Sequence, residues 1–183
     1  GYDDISFLAF SPVHNKLVYG ARKGTKRLMV FDGKPGNEFD EIGKVLAFTS
    51  SGGRFAYRAR SAAKWQVVVN ETNLPQYDEV LEGSISFSPD SNHLAYSVKS
   101  NFKQMVVIDG NSAQAYDMIG QNMPVFLKDN RLFYTAKSGY QWQAVVDHSP
   151  GPRFENIKYD SLKLSPDDSH FGFAGWVNNK WAI

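Results

Sequence analysis

Apolar residues in this chain come in short runs broken by Gly, Pro, Asp, Asn and Ser, and nowhere does a helical period persist. The runs are rich in Val, Ile, Phe and Tyr, which predicts a succession of short β-strands joined by tight turns. One element recurs: an aromatic, an acid, a variable residue and an aliphatic. It appears as Tyr2-Asp3-Asp4-Ile5, Phe39-Asp40-Glu41-Ile42, Tyr77-Asp78-Glu79-Val80, Tyr116-Asp117-Met118-Ile119 and Phe154-Glu155-Asn156-Ile157, at spacings of 37, 38, 39 and 38 residues. After each quartet come an apolar run and a turn, as in Phe87-Ser88-Pro89-Asp90 and Leu164-Ser165-Pro166-Asp167. Then follow a second strand-like segment such as Leu94-Ala95-Tyr96 and a third such as Met105-Val106-Val107-Ile108, which closes on Asp109-Gly110.

Each repeat thus holds four β segments in about 38 residues. A solitary sheet of this kind has two apolar faces and must stack on neighbours to bury both. The run after the quartet alternates large and small residues, as in Leu8-Ala9-Phe10 and Ile85-Ser86-Phe87, so that adjacent sheets interdigitate; Lys163 stands in the small slot of the last repeat. The fold class predicted is all-β, a β-propeller of five four-stranded blades with repeats at 2–38, 39–76, 77–115, 116–153 and 154–183. Ring closure is expected through Tyr2 to Ile5, supplying the outer strand of the blade that ends the chain and so pairing two open sheet edges. The alternative is a fragment of a larger propeller. If Phe87 and Phe126 are interblade core, truncating either to Ala is expected to cost about 3–5 kcal/mol.

The segment Phe87-Ser88-Pro89-Asp90-Ser91-Asn92-His93-Leu94-Ala95-Tyr96 resembles the core of the WD-repeat-like propeller repeats of the TolB-like and prolyl-oligopeptidase-propeller families. The resemblance runs through the whole chain, with Thr49-Ser50-Ser51-Gly52-Gly53 and Leu127-Lys128-Asp129-Asn130 as divergent copies. It implies a β-propeller, commonly periplasmic or extracellular in bacteria and used for protein binding or gating. No peptidase catalytic domain accompanies it in these 183 residues.

Composition narrows the chemistry. The chain has 20 Lys plus Arg against 19 Asp plus Glu, which argues against nucleic acid as a partner, and it has no Cys, which removes thiol catalysis, zinc-thiolate sites and redox switching. No run approaches the roughly 20 apolar residues of a membrane span. Neither a cofactor nor a metal site is expected: no Gly-rich phosphate loop or nucleophile elbow is present, and His93 and His170 fall two repeats apart at a strand-opening position. The innermost segments carry no Asp or Glu in their central positions, which opposes a glycosidase needing two carboxyls about 5–9.5 Å apart. The repeated acid is expected to be structural, accepting backbone amides or pairing with a cation, and the Ser-Pro-Asp turns likewise. Asn70-Glu71-Thr72 matches a glycosylation sequon that chance explains equally well.

Charge is segregated despite the balanced total. The loops between second and third strands carry Arg22, Lys23, Arg58, Arg60 and Lys99, and the connection after each quartet carries acids, among them Glu82 and Asp160. This reads either as a ring of interblade ion pairs or as a ligand face. Phe102, Tyr140 and Trp176 are read at loop tips of that face and, with the cations, form the candidate binding set; Trp65, Trp142 and Trp181 share one repeat position and are expected between blades. Lys163 is a candidate anion contact near the ring axis, or else snorkels into a wet channel. The function expected is a non-catalytic scaffold binding a protein partner through one loop face, as a monomer if the ring closes. The alternatives are a lectin-like propeller binding glycan and, ranked below both, a propeller hydrolase.

Overall fold

A computed structural model describes residues 1–158, 161–166 and 170–183 of the chain, so Asp160 and Asp167 lie outside the described residues. Among the described residues the regular elements are strands. The first unit is an antiparallel meander of Asp4–Phe10, Leu17–Lys23, Lys26–Phe31 and Lys34–Phe39. The second, third and fourth units repeat it with one change: the inner strand is split into two short pieces, as in Glu41–Ile42 and Ala47–Phe48, both pairing with Phe55–Ser61. The fifth unit comprises Asn156–Ile157, Gly175–Val177 and Lys180–Ala182 in one sheet and Lys163–Leu164 with Phe171–Gly172 in another.

The recurrent quartet does not form one strand. Its aromatic ends the outer strand of one unit, where Phe39 pairs with Arg27 and Phe154 with Trp142, while the third and fourth residues open the inner strand of the next, where Ile42 pairs with Ala59 and Val80 with Val98. Each position then has its own task. The aromatic packs edge-on against the second-strand ring of the following unit: Phe39 on Tyr57, Tyr77 on Tyr96, Tyr116 on Tyr134 and Phe154 on Phe173, with centroids 6.4, 6.5, 6.4 and 5.5 Å apart. The aliphatic is core: Ile42, Val80, Ile119 and Ile157 are all buried.

The apolar interior is divided into clusters that bridge neighbouring units, the largest of them running from Ala95 and Val106 of the third unit through the fourth to the fifth. Val18, Met29, Tyr57 and Val68 pack between the first two units; Val69, Val80, Tyr96 and Val107 pack between the second and third; Phe133 and Tyr134 belong to a cluster reaching Phe171 and Phe173 of the fifth. The expected seam between the chain ends is not among the strand pairings of the described residues. Asp4 and Ile5 pair with Arg22 and Ala21, and the Asp3 N–H donates to Arg22 O, so this segment is the inner edge of the first sheet and does not pair with the last. Phe87 and Phe126 are half-buried at their junctions, not fully enclosed.

Candidate functional site

The acid of each quartet is a staple. In the second to fourth units one carboxylate oxygen accepts the backbone N–H of the hairpin joining second and third strands, Ala62 to Asp40 (2.7 Å), Asn101 to Asp78 (2.9 Å) and Gly139 to Asp117 (2.7 Å). The other oxygen accepts the ammonium of a lysine from the preceding unit: Lys26 on Asp40, Lys64 on Asp78 and Lys103 on Asp117. Asp3 and Glu155 hold the hairpin amides of Gly24 and Asn178 in the same way. The lysine hydrogen bonds come first, and the hairpin amides second, in holding Asp40, Asp78 and Asp117 below the usual carboxylate range. The lysine precedes its acid by 14 residues each time; that interval is visible in the sequence and marks which cations are committed.

At the opposite ends of the strands the Ser-Pro turns are equally structural. Ser11, Thr49 and Ser88 accept the N–H of Lys16, Arg54 and His93 through their hydroxyls. Asn70, Asp109 and Asp147 accept the N–H that opens the second strand, of Phe55, Leu94 and Leu132. The sequon asparagine is thereby engaged through its carbonyl, and its NH2 donates to Gly53 O.

These pairings engage three of the six expected binding cations. Arg60 forms a two-pronged pair with Glu41 at 3.1 and 2.9 Å. Arg58 has a side chain only 16% exposed; it lies over the Trp65 ring at 4.4 Å, donates to Val80 O and pairs with Glu82, tying the second unit to the third. Gly43 is required there, since a Cβ would stand 2.6 Å from Arg58 Cγ. Arg22 donates to Gly24 O and sits 3.7 Å from Asp3. Lys23 and Lys99 have no carboxylate within ion-pair distance among the described residues. Lys23 and Lys163 are exposed, and Lys163 is paired through its backbone with Gly172.

Trp176 is not at a loop tip, contrary to expectation. It faces Trp181 across a strand pair, with ring centroids 5.1 Å apart, and the tip beyond it is Asn178-Asn179. Trp65 and Trp142 are half-buried under Arg58 and Lys137, whereas Trp181 is exposed. Phe102 and Tyr140 are where the loops were expected to put them, at the hairpin tips of the third and fourth units, and are 91% and 92% exposed. Between these same two units lies a cleft of about 390 Å³ bordered by Leu81, Gln104, exposed Met118 and Met123. The hairpin face also carries a polar cleft of about 640 Å³ between the first and second units, with Asp4, Asp40 and Glu41 opposite Arg27 and Lys44. Among the described residues no group of three or more His, Asp or Glu is placed to hold a metal ion. No described helix is long and apolar enough to cross a membrane.

No protein-family model matches this chain, and no curated protein matches it. Solved structures do. It is similar to TolB from Acinetobacter baumannii, at 12% identity and TM-score 0.55 over 98% of this chain and 50% of that one. It is also similar to the β-propeller domain of the Trilobed protease from Pyrococcus furiosus, which has an open velcro topology, at 10% identity and TM-score 0.58 over 100% of this chain and 66% of that one. A third is the dihydro-heme d1 dehydrogenase NirN, at 12% identity and TM-score 0.54 over 96% and 43% of the two chains. This chain spans about half the length of the TolB chain. The fold is a β-propeller array of four-stranded antiparallel sheets.

Proposed function

We propose that the chain is a non-catalytic binding module that engages a protein partner on the hairpin face of its third and fourth units. Phe102 carries this reading. It holds φ at 63°, a left-handed conformation unfavourable for a bulky side chain, at a place where Asn179 serves in the fifth unit. Its ring has no packing to offset that strain, and Tyr140 stands equally exposed on the neighbouring hairpin. Two exposed aromatics on neighbouring tips, with Lys99 on the strand that leads to one of them, make up the composition of a protein hot spot. The equivalent tips elsewhere are Gly24-Thr25, Ala62-Ala63 and Asn178-Asn179. A lectin would repeat its site at each junction, so the confinement of aromatics to two adjacent tips favours one protein footprint.

The carboxylates of the polar cleft support a non-catalytic reading as well. A general acid needs its pKa raised, and here Lys26 pulls Asp40 down while Glu41 is taken by Arg60. On the family resemblance we place the protein in the periplasm or outside the cell. The test is site-directed photocrosslinking in the native cell, with a benzophenone amino acid at Phe102, Tyr140, Ala63 or Asn179. Discrete adducts to one protein from the first two positions and none from the last two are expected. Equal labelling from all four, or none from any, sinks the proposal.

A further inference from the structure

The faces at the other ends of the strands carry a second feature. Between the second and third units lies a mostly apolar groove of about 510 Å³, lined by Val69, Thr72, Leu74 and Leu94 with Arg54 and Asp109 at its polar rim. Its size falls in the range of ligand sites, about 300–1,000 Å³. The two charges differ in how far they are satisfied. Asp109 is saturated, one oxygen accepting the Leu94 N–H at 2.9 Å and the other meeting His93 Nδ1 at 2.7 Å. Arg54 rests over the Phe87 ring at 5.1 Å and donates once, to Ser91 O at 3.3 Å, with no carboxylate within ion-pair distance among the described residues. A planar guanidinium with donors to spare is built for a carboxylate.

The preceding junction shows what the groove lacks. There the turn position corresponding to Gly110 is Glu71, whose carboxylate reaches across to the outer strand of the first unit and accepts the Asn37 N–H at 2.7 Å, while Asn37 Nδ2 donates back to Glu71 O at 2.8 Å. Glu71 holds φ at 70°, close to the 83° of Gly110, so the same turn geometry accommodates either residue. A Cβ on Gly110 would meet nothing within 4 Å. One junction is bridged by the chain's own carboxylate, and the next is left open at the equivalent place with an unpaired arginine beside it.

We propose that this groove is a peptide-binding site that takes a carboxylate on Arg54 and an adjacent apolar side chain over Val69, Leu74 and Leu94. It is separate from the hairpin-face site and does not rest on it. The probe is the dipeptide N-acetyl-Leu-Glu-amide, titrated into the isotope-labelled chain and followed by backbone amide NMR. Saturable shifts centred on Asn70, Thr72 and Gly110 are expected, with affinity in the millimolar range for so small a ligand. The Gln counterpart of the probe should bind about tenfold more weakly or less. R54Q should lose the same factor, and G110E should close the groove with a modestly lowered urea midpoint, because a side chain at φ 83° is strained, and an unchanged circular dichroism spectrum. Shifts elsewhere, no saturable shift, or equal binding of the Glu and Gln probes would overturn the assignment.

Discussion

Phe102 costs the fold about 1–3 kcal/mol of backbone strain and contributes no burial in return. Phe102→Asn is therefore expected to raise stability by up to about 1 kcal/mol, read from the urea midpoint, while abolishing the photocrosslinked adduct formed through Tyr140. A drop in midpoint would mean that the ring is packed after all, and the hot-spot reading would lose its main support. Tyr96 poses the converse case. Its hydroxyl is buried without a hydrogen-bond partner, and burial pushes the phenol well above the usual tyrosine range. Removing an unsatisfied buried polar group relieves its desolvation penalty, so Tyr96→Phe is expected to be neutral or stabilising, whereas Tyr96→Ala should be strongly destabilising through lost contact with Tyr77.

At the scale of the strand and hairpin, the stapling acids make stability depend on pH with a definite sign. Asp40, Asp78 and Asp117 have folded pKa values below their unfolded value of about 3.9. Their contribution is therefore complete above that value and fades as pH falls through the folded pKa. Urea midpoints should hold steady at neutral pH and fall on acidification below about pH 4. A triple Asn variant at these positions should start lower and show a shallower acid limb; an acid limb as steep as the parent's would show that the staples are not the groups titrating. The sequence already displayed most of this. The acid recurred in every unit, and its lysine stood at a fixed interval upstream. What pattern alone did not show was that the quartet spans two sheets. Four contiguous residues of strand composition read naturally as one strand, and only the pairing of Phe39 with Arg27 and of Ile42 with Ala59 separates them. The same blindness made Arg58 and Arg60 look available, because the Trp65 face and Glu41 that hold them are set by cross-strand register. Arg54 escaped notice for the opposite reason: it opens a strand at an ordinary polar position, and its isolation is a matter of what Gly110 leaves out.

Stability of the whole array is nearest-neighbour in character, since the apolar side chains of each unit pack on those of the units next to it. Phe133 is fully buried and meets Phe171 at 5.0 Å across the fourth junction, so Phe133→Ala should cost about 3–5 kcal/mol, more than truncation of half-buried Phe126. The same logic bears on the outermost faces. In the second and third units the large residues of the inner strand, Leu46 with Phe48 and Ile85 with Phe87, pack back onto the unit before them. Their counterparts in the first unit, Leu8 and Phe10, are 65% and 64% exposed, with Val13 beside them, and on the fifth unit Trp181 and Ile183 are exposed as well. Exposed apolar side chains on both the first and the fifth unit favour association of copies of this chain. The 183-residue chain is thus expected to run larger than its 20.6 kDa monomer in light scattering behind a sizing column. Leu8→Ser with Phe10→Ser should return it to monomer without changing its circular dichroism. A clean monomer for the parent chain would show that this exposed apolar surface does not drive association, and the prediction would fail.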